Sequence, residues 1–133
     1  MYLRDELVQA LMEVDSLAPV RVTNVNNVLI WYQVMHRFTV LLDSDNVYEL
    51  FARSVDAHRN SFPWLPDVQQ GDLGYQLFLA FEGAILNQSF READLATRAL
   101  LGTYIDFLID LIGETLTVQC ICNIASKRRF PRT

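Results

Sequence analysis

This sequence contains few of the residues from which cofactor and metal sites are usually built. It has two histidines, two cysteines and a single lysine, Lys127, and its five glycines form neither a Gly-x-Gly-x-x-Gly motif nor a P-loop. Because such glycine-rich turns commonly hold nucleotide phosphates, the sequence disfavours nucleotide chemistry. Cys120 and Cys122 are separated by one residue, which suits neither zinc ligation nor a disulfide. We therefore predict no metal, no cofactor and no disulfide framework.

Catalytic groups are also scarce. Ser54 lies four residues before His58, and Asp106 lies four residues before Asp110, so each pair would share one face of a helix. No Gly-x-Ser-x-Gly turn accompanies the serine, although such a turn exposes the nucleophile in many hydrolases. We expect His58 in solvent near a helix C-terminus, the two aspartates on a solvated helix face, and no enzymatic activity.

Positive charge is scarce over most of the chain. The 133 residues include 11 Lys and Arg against 16 Asp and Glu, for a net charge of −5. Four of the 11 cations lie in the last seven residues, so residues 1–125 carry 7 cations and 16 anions, a net charge of −9. An acidic body repels phosphate backbones, so we predict no nucleic-acid partner.

Long hydrophobic runs are missing too. The longest near-candidate, residues 99–112, is interrupted by Asp106 and Asp110 and falls short of the ~20 apolar residues that a membrane helix needs. Asp5 and Glu6 lie where a signal peptide would be apolar or basic. We predict a cytoplasmic protein with no membrane partner.

The apolar residues that are present suffice for one folded domain. Hydrophobic residues make up 51% of the chain and aromatic residues 11%, which is enough for a sizeable core at this length. We assign residues 1–125 to a single domain. We assign residues 126–133 to a basic tail, which we expect to be solvated and frayed.

Two helices are predicted in the first half of the chain. Apolar residues at steps of three and four predict a helix over residues 2–14. Asn46 and Glu49 resemble a capping box, which predicts a second helix over residues 47–58. Pro63 disfavours helical geometry at the residue before it, so this helix should end near residues 58–61.

The clearest local signal in the sequence lies at Ser89 and Glu92. These residues form a Ser-x-x-Glu capping box directly before a periodic apolar run. They predict a long helix from residue 90 to about residue 112. Gly113 is a plausible stop, because glycine commonly ends helices.

Three other segments have the character of β-strands. Residues 20–42 are rich in β-branched and aromatic residues and predict two or three strands, with a buried helix over residues 27–42 as the alternative. Residues 75–81 alternate at a period of two and predict a strand, which Gly83 follows as a bulge or kink. Residues 116–124 also alternate and predict a last strand or, alternatively, an extension of the preceding helix.

Together these elements predict an α+β fold with an N-terminal helix, a small antiparallel sheet, a central helix and a long C-terminal helix. The alternative is an all-α bundle. Over residues 20–113 the sequence resembles the YbjN-like family, which shares its fold with type III secretion chaperones. The resemblance rests on the order strand 38–42, helix 47–58, the exit Arg59-Asn60-Ser61-Phe62-Pro63, strand 75–81 and a helix from Ser89. It implies an often dimeric domain without a known cofactor, which holds a partner segment along apolar strips.

The aromatic surplus points to a partner rather than to chemistry. Phe62 and Trp64 lie in a proline-fixed segment, and an exposed apolar patch of this kind usually marks an interaction surface. The alternative is that Trp64 packs back over the sheet. We predict a non-enzymatic, homodimeric module that holds a protein or peptide segment on a strip drawn from Trp31, Phe38, Phe62 and Trp64. The alternatives are a helical protein–protein adaptor, viral or phage-encoded, and a structural subunit of an assembly.

Overall fold

The helix α5 (Phe90–Ile112) is the one around which the others are arranged. A computed structural model of the protein describes residues 2–12, 23–67 and 74–129. In these residues α5 is accompanied by α1 (Tyr2–Met12), α2 (Thr23–Thr39), α3 (Ser44–Ala57), α4 (Tyr75–Leu86) and α6 (Glu114–Arg129). α5 packs against α1, α2, α3 and α6, whereas α4 packs against α2 and α3. One apolar cluster draws buried side chains from all six helices.

The predicted α+β fold is wrong. Within the described ranges every regular element is a helix and none is a strand, so the small antiparallel sheet does not form. The all-α bundle, which the sequence left as the alternative, is the observed architecture. The three segments predicted as strands lie in α2, α4 and α6.

α2 occupies most of the segment predicted as strands over residues 20–42, of which residues 20–22 lie outside the described residues. It packs against the other five helices, and seven of its 17 residues, all between Asn27 and Phe38, are buried on one face of the helix. Trp31 lies at its centre. The indole contacts the rings of Phe51, Phe81 and Tyr104 edge-on, at centroid distances of 5.1 to 6.1 Å.

α4 takes the place of the strand predicted over residues 75–81. Its buried residues are Leu77, Phe78, Phe81 and Ile85, which recur mainly at the helical steps of three and four. Gly83 lies inside the helix rather than at a bulge, and the space beside its Cα is open. The two-residue alternation arises because α4 carries apolar residues on more than one face.

α6 takes the place of the strand predicted over residues 116–124. Its buried positions Thr117, Cys120, Ile121, Ile124 and Ala125 again follow helical spacing. Cys120 is buried and Cys122 is exposed, and both are free thiols. α6 continues to Arg129, so the first half of the predicted basic tail is helical, and residues 130–133 lie outside the described residues.

The helices predicted from local signals are confirmed. α5 spans Phe90–Ile112, and the Ser89 side chain accepts a hydrogen bond from the Glu92 backbone N–H at 3.2 Å. Gly113 ends it with a φ of 93°. α3 begins at Ser44, but its cap is Asp43, which accepts from the backbone N–H of Asn46 at 2.9 Å, rather than the predicted Asn46. α1 covers residues 2–12 of the predicted 2–14; residues 13 and 14 lie outside the described residues.

Candidate functional site

The structure separates the four aromatic residues that were predicted to form a partner-binding strip. Trp31 and Phe38 are 0% exposed and lie in the core, so neither contributes to a surface. Phe62 and Trp64 are half-buried and pack against the core, with ring centroids 6.0 Å apart. The four residues therefore form no common exposed strip.

Trp64 is held on the bundle by a polar contact. Its indole N–H donates to Oε1 of Glu92 at 3.1 Å, and Glu92 is the glutamate of the capping box that starts α5. The backbone N–H of Leu65 donates to the Phe62 carbonyl at 3.0 Å, and Leu65 is buried. The proline-fixed segment thus folds back over the core, which is the alternative that the sequence left open for Trp64, and helices take the place of the predicted sheet beneath it.

A different apolar surface lies on α2 and α4. Each helix carries a row of large apolar side chains at steps of three, four or seven residues, and these side chains are 39% to 50% exposed. We call the two rows together the α2–α4 surface. It consists of Val25, Leu29 and Tyr32 on α2 and of Tyr75, Leu79 and Leu86 on α4.

Contacts between the two helices bring the rows side by side. At the start of α2, the Asn24 side-chain amide donates to the backbone carbonyl of Gln88, just beyond α4, at 2.7 Å. Further along α2, the Tyr32 ring lies 4.9 Å from the ring of Phe78, and its hydroxyl donates to Oε1 of Glu82 at 3.2 Å. Since later positions on α2 meet earlier positions on α4, the two helices run antiparallel. The two exposed rows are therefore neighbours, and we call the space between them the groove.

A pocket of about 290 Å³ lies beside Tyr32, where α2, α3 and α4 meet. Its lining combines aromatic rings, a thioether and hydroxyl groups. The lining residues are Tyr32, Met35, His36, Thr39, Ser44, Val47, Tyr48 and Phe78. Tyr32 belongs both to the pocket and to the α2–α4 surface, so the two are continuous.

The phenols at the pocket are poor acids. Burial raises the pKa of Tyr32 to about 12, with hydrogen bonding to Tyr75 as the next contribution, and burial also raises the pKa of Tyr48. Both phenols are therefore protonated near neutral pH, and the Tyr32 proton is already donated to Glu82. The Thr39 hydroxyl is already engaged, because it donates to the Met35 carbonyl at 2.7 Å. The Tyr32 and Thr39 hydroxyls at the pocket are therefore already hydrogen-bonded within the protein.

Charge is sparse on the surface and acidic at the pocket end. The 12 residues of α4 include one charged side chain, Glu82, and α2 has none before His36. At the pocket end, Asp43 and Asp45 flank the pocket residue Ser44, and both are exposed. Glu49 follows one turn later on α3, where it accepts from Arg53 at 3.0 Å.

Three of the four residues considered for catalysis make other contacts within the protein, and the fourth, Asp110, is exposed as predicted. The Ser54 hydroxyl is buried and donates to the Leu50 carbonyl at 2.9 Å. His58 caps the end of α3 as predicted, but it is half-buried, with Nε2 2.7 Å from the Thr103 hydroxyl, and burial lowers its pKa below 6.5. Asp106 accepts from Arg4 of α1 at 2.8 Å. The predicted solvated face at Asp106 is thus a contact between helices.

The described residues contain neither a cluster of metal ligands nor a membrane-spanning helix. No three His, Cys, Asp or Glu side chains there are grouped as metal ligands. None of the helices there combines the length and the apolarity required to cross a membrane.

Sequence reasoning missed the α2–α4 surface because it assigned both helices to strands. Residues 25, 29 and 32 follow the helical spacing that lines up one face, and so do residues 75, 79 and 86. That signal becomes visible only once both segments are read as helices.

Comparison of the chain with known protein families, with curated proteins and with solved structures finds no match.

Proposed function

We propose that this protein is a non-enzymatic protein-binding module, an all-helical adaptor that holds an apolar segment of a partner on the α2–α4 surface. The observation that carries the proposal is the pair of adjacent apolar rows on α2 and α4, each 39% to 50% exposed. Contiguous exposed apolar side chains on two neighbouring helices commonly mark interaction sites, whereas isolated ones are normal on any protein.

The proposal keeps the function that the secretion-chaperone resemblance implies, but not its sheet. A partner segment that covers both rows would remove their side chains from water, which supplies the main driving force for such association. We also propose a cytoplasmic location without nucleic-acid partners. Two free cysteines and a net charge of −5 support these parts of the proposal.

A second candidate, favoured by the low charge of the surface, is a homodimer through the same two helices. Glu82, the only charge on α4, accepts a hydrogen bond from Tyr32. Two acidic chains would therefore meet here with little like-charge repulsion. In this case the module would be a structural subunit that binds itself.

Matched double variants test the first proposal. Leu29→Arg with Leu79→Arg places two charges on the α2–α4 surface, whereas Leu95→Arg with Leu111→Arg makes the same change at two exposed leucines of α5. We expect both variants to keep the helical circular dichroism spectrum, because all four leucines are 41% to 54% exposed.

The readout is the set of proteins that crosslink to each variant in the source cells. Proteins captured by the native chain and the α5 variant but lost from the α2–α4 variant would support the proposal. Capture of the same proteins by all three chains would refute it. Light scattering on the purified native chain tests the second candidate, which requires twice the mass of 15.3 kDa.

A further inference from the structure

The pocket adds information about what kind of segment fits the α2–α4 surface. It lies at the Tyr32 end of the groove, because Tyr32 both lines the pocket and belongs to the exposed row of α2. Its volume of about 290 Å³ lies at the lower limit of the ~300–1,000 Å³ typical of small-molecule sites. A space of this size suits one or two bulky side chains better than a whole cofactor.

The lining favours an apolar, deformable anchor. The rings of Tyr32, Tyr48 and Phe78 form aromatic walls, and the thioether of Met35 supplies a soft one. Aromatic rings and methionine sulfur bind aromatic or long apolar side chains without a strict shape requirement. A Phe, Leu, Met or Trp side chain therefore matches the pocket.

The length and shape of the groove match a short helix. The α2 row extends over seven residue steps from Val25 to Tyr32, or about 10 Å, and the α4 row over eleven steps from Tyr75 to Leu86, or about 16 Å. Two antiparallel helices with apolar rows along their shared edge form the kind of groove that accepts the apolar face of a third helix. Two to three turns of helix would cover both rows.

The charge near the pocket indicates which charge the polar side of the bound helix should carry. Asp43 and Asp45 are exposed beside Ser44, and the first turn of α3 carries no basic side chain to neutralise them. The positive end of the α3 dipole lies here, but the Asp43 carboxylate already caps it. His36 lines the pocket, and Arg37 is half-buried on the same helix. With residues 1–125 at a net charge of −9, a basic flank is the complementary choice.

We infer that the α2–α4 surface binds a basic amphipathic helix of a partner protein, with one bulky apolar side chain of that helix in the pocket between α2, α3 and α4. This inference rests on the proposed function and names its partner class. A second copy of the chain is the competing occupant.

Three synthetic peptides of about 15 residues, near the length at which an isolated helix holds in water, provide the probe. The first has a Leu face with a single Phe and a Lys flank. The second replaces each Lys by Glu, and the third scrambles the first so that it has no apolar face. Fluorescence polarisation with the full chain should show the first binding at least about tenfold more tightly than either of the others.

Two pairs of variants localise the binding. Ser44→Phe fills the pocket without a change of charge and should weaken the first peptide about tenfold, whereas Gln119→Phe, at an exposed position of α6, should leave its affinity unchanged. Asp43→Asn with Asp45→Asn should weaken the same peptide, while Asp110→Asn with Glu114→Gln should not. Asn at position 43 keeps the helix cap, because Asn caps helices as well as Asp does.

Several results overturn the inference. Equal binding of the Lys and Glu peptides would exclude a basic helix, and peptide binding that Ser44→Phe does not change would exclude the pocket as the anchor site. Neither result decides the proposed function, which the crosslinking of the Leu29→Arg, Leu79→Arg variant tests separately. A native dimer that the Leu79→Arg substitution dissociates assigns the groove to a second copy. Equal binding of the first peptide to the native chain and to the Leu29→Arg, Leu79→Arg variant excludes this groove as the peptide site.

Discussion

α4 and α5 bury their apolar side chains to different extents. α5 has neighbours on several sides, namely α1, α2, α3 and α6, and buries nine of its residues. α4 packs against α2 and α3 and buries four of its 12 residues, Leu77, Phe78, Phe81 and Ile85. Its remaining positions include large apolar residues and one charge, Glu82.

The exposed apolar residues of the two helices are also arranged differently. Those of α5 are Phe90, Leu95 and Leu111, which point in different directions around the helix. Those of α4 are Tyr75, Leu79 and Leu86, which lie along one line beside α2. Scattered exposed apolar residues need no explanation, whereas an aligned row next to a second row does. Exposure alone therefore does not identify an interaction surface, whereas the alignment of exposed apolar residues does.

The two helices also differ in the polar contacts that hold them to their neighbours. α5 is tied to its surroundings through Asp106, which accepts from Arg4, and through Arg98, which donates to Gln9 at 2.9 Å. It also meets His58 through the Thr103 hydroxyl. α4 is joined to α2 by the Tyr32–Glu82 hydrogen bond, at the edge of the exposed rows.

The largest expected effect comes from truncating one leucine in each helix, a buried one in α5 and an exposed one in α4. Leu101→Ala on α5 removes a side chain that is 0% exposed and should lower the free energy of unfolding by about 2–5 kcal/mol. Leu79→Ala on α4 removes one that is 41% exposed and should cost less than about 1 kcal/mol. Urea denaturation measures both. Equal losses would mean that Leu79 belongs to the core and that the α2–α4 surface is misassigned.

The end of α5 offers the next test. Gly113 has a φ of 93° and a ψ of 158°, a backbone region that is almost restricted to glycine, so Gly113→Ala should destabilise the protein by about 1–3 kcal/mol. Glu114→Ala, one residue later and exposed, is the control and should change stability far less. Thermal unfolding of the two variants separates strain at the α5–α6 junction from loss of a surface side chain. A Gly113→Ala variant as stable as the native chain would contradict this junction geometry.

Each of the two helices contains one glycine, and the surroundings of these glycines differ. A Cβ at Gly83 of α4 would have nothing within 4 Å, so Gly83→Ala should stabilise the protein by about 0.5–1 kcal/mol through helix propensity alone. A Cβ at Gly102 of α5 would lie 3.3 Å from Cδ of Arg4. Gly102→Ala should therefore gain less, because Arg4 must shift from its place beside Asp106. Chemical denaturation measures the free energy of unfolding of both variants. A larger increase for Gly102→Ala than for Gly83→Ala would contradict the finding that Gly102 is crowded and Gly83 is open.

The smallest effect concerns pH and the contact between His58 and α5. Burial lowers the pKa of His58 from 6.5 in the folded state, so the unfolded chain binds the proton more readily. This contribution to stability is complete above about pH 6.5 and is lost as the pH falls through the folded-state pKa. The free energy of unfolding, measured between about pH 7.5 and pH 5, should decline less in His58→Gln than in the native chain. His36→Gln, at an exposed histidine, is the control, and an identical decline in all three chains would exclude this role.

Local signals were sufficient for α1, α3 and α5. Apolar spacing identified α1, and the Ser89 box set the start of α5 because a cap and its helix are neighbours in sequence. A polar cluster before an apolar stripe located α3, although Asp43 rather than Asn46 is the cap. Gly113 was identified as the stop for the same local reason. These features depend on residues that are at most a few positions apart.

Local patterns in the sequence were therefore enough to identify three helices, the Ser89 cap of α5, the acidic body and the scarcity of motifs for cofactors. Only the tertiary structure decided that α2, α4 and α6 are helices, because segments rich in β-branched and aromatic residues adopt whichever element buries them. It also placed Trp31 inside the bundle and left Tyr32, the next residue, 39% exposed. Which side of a helix meets solvent depends on the neighbours that pack against it, and those neighbours lie far away in the sequence.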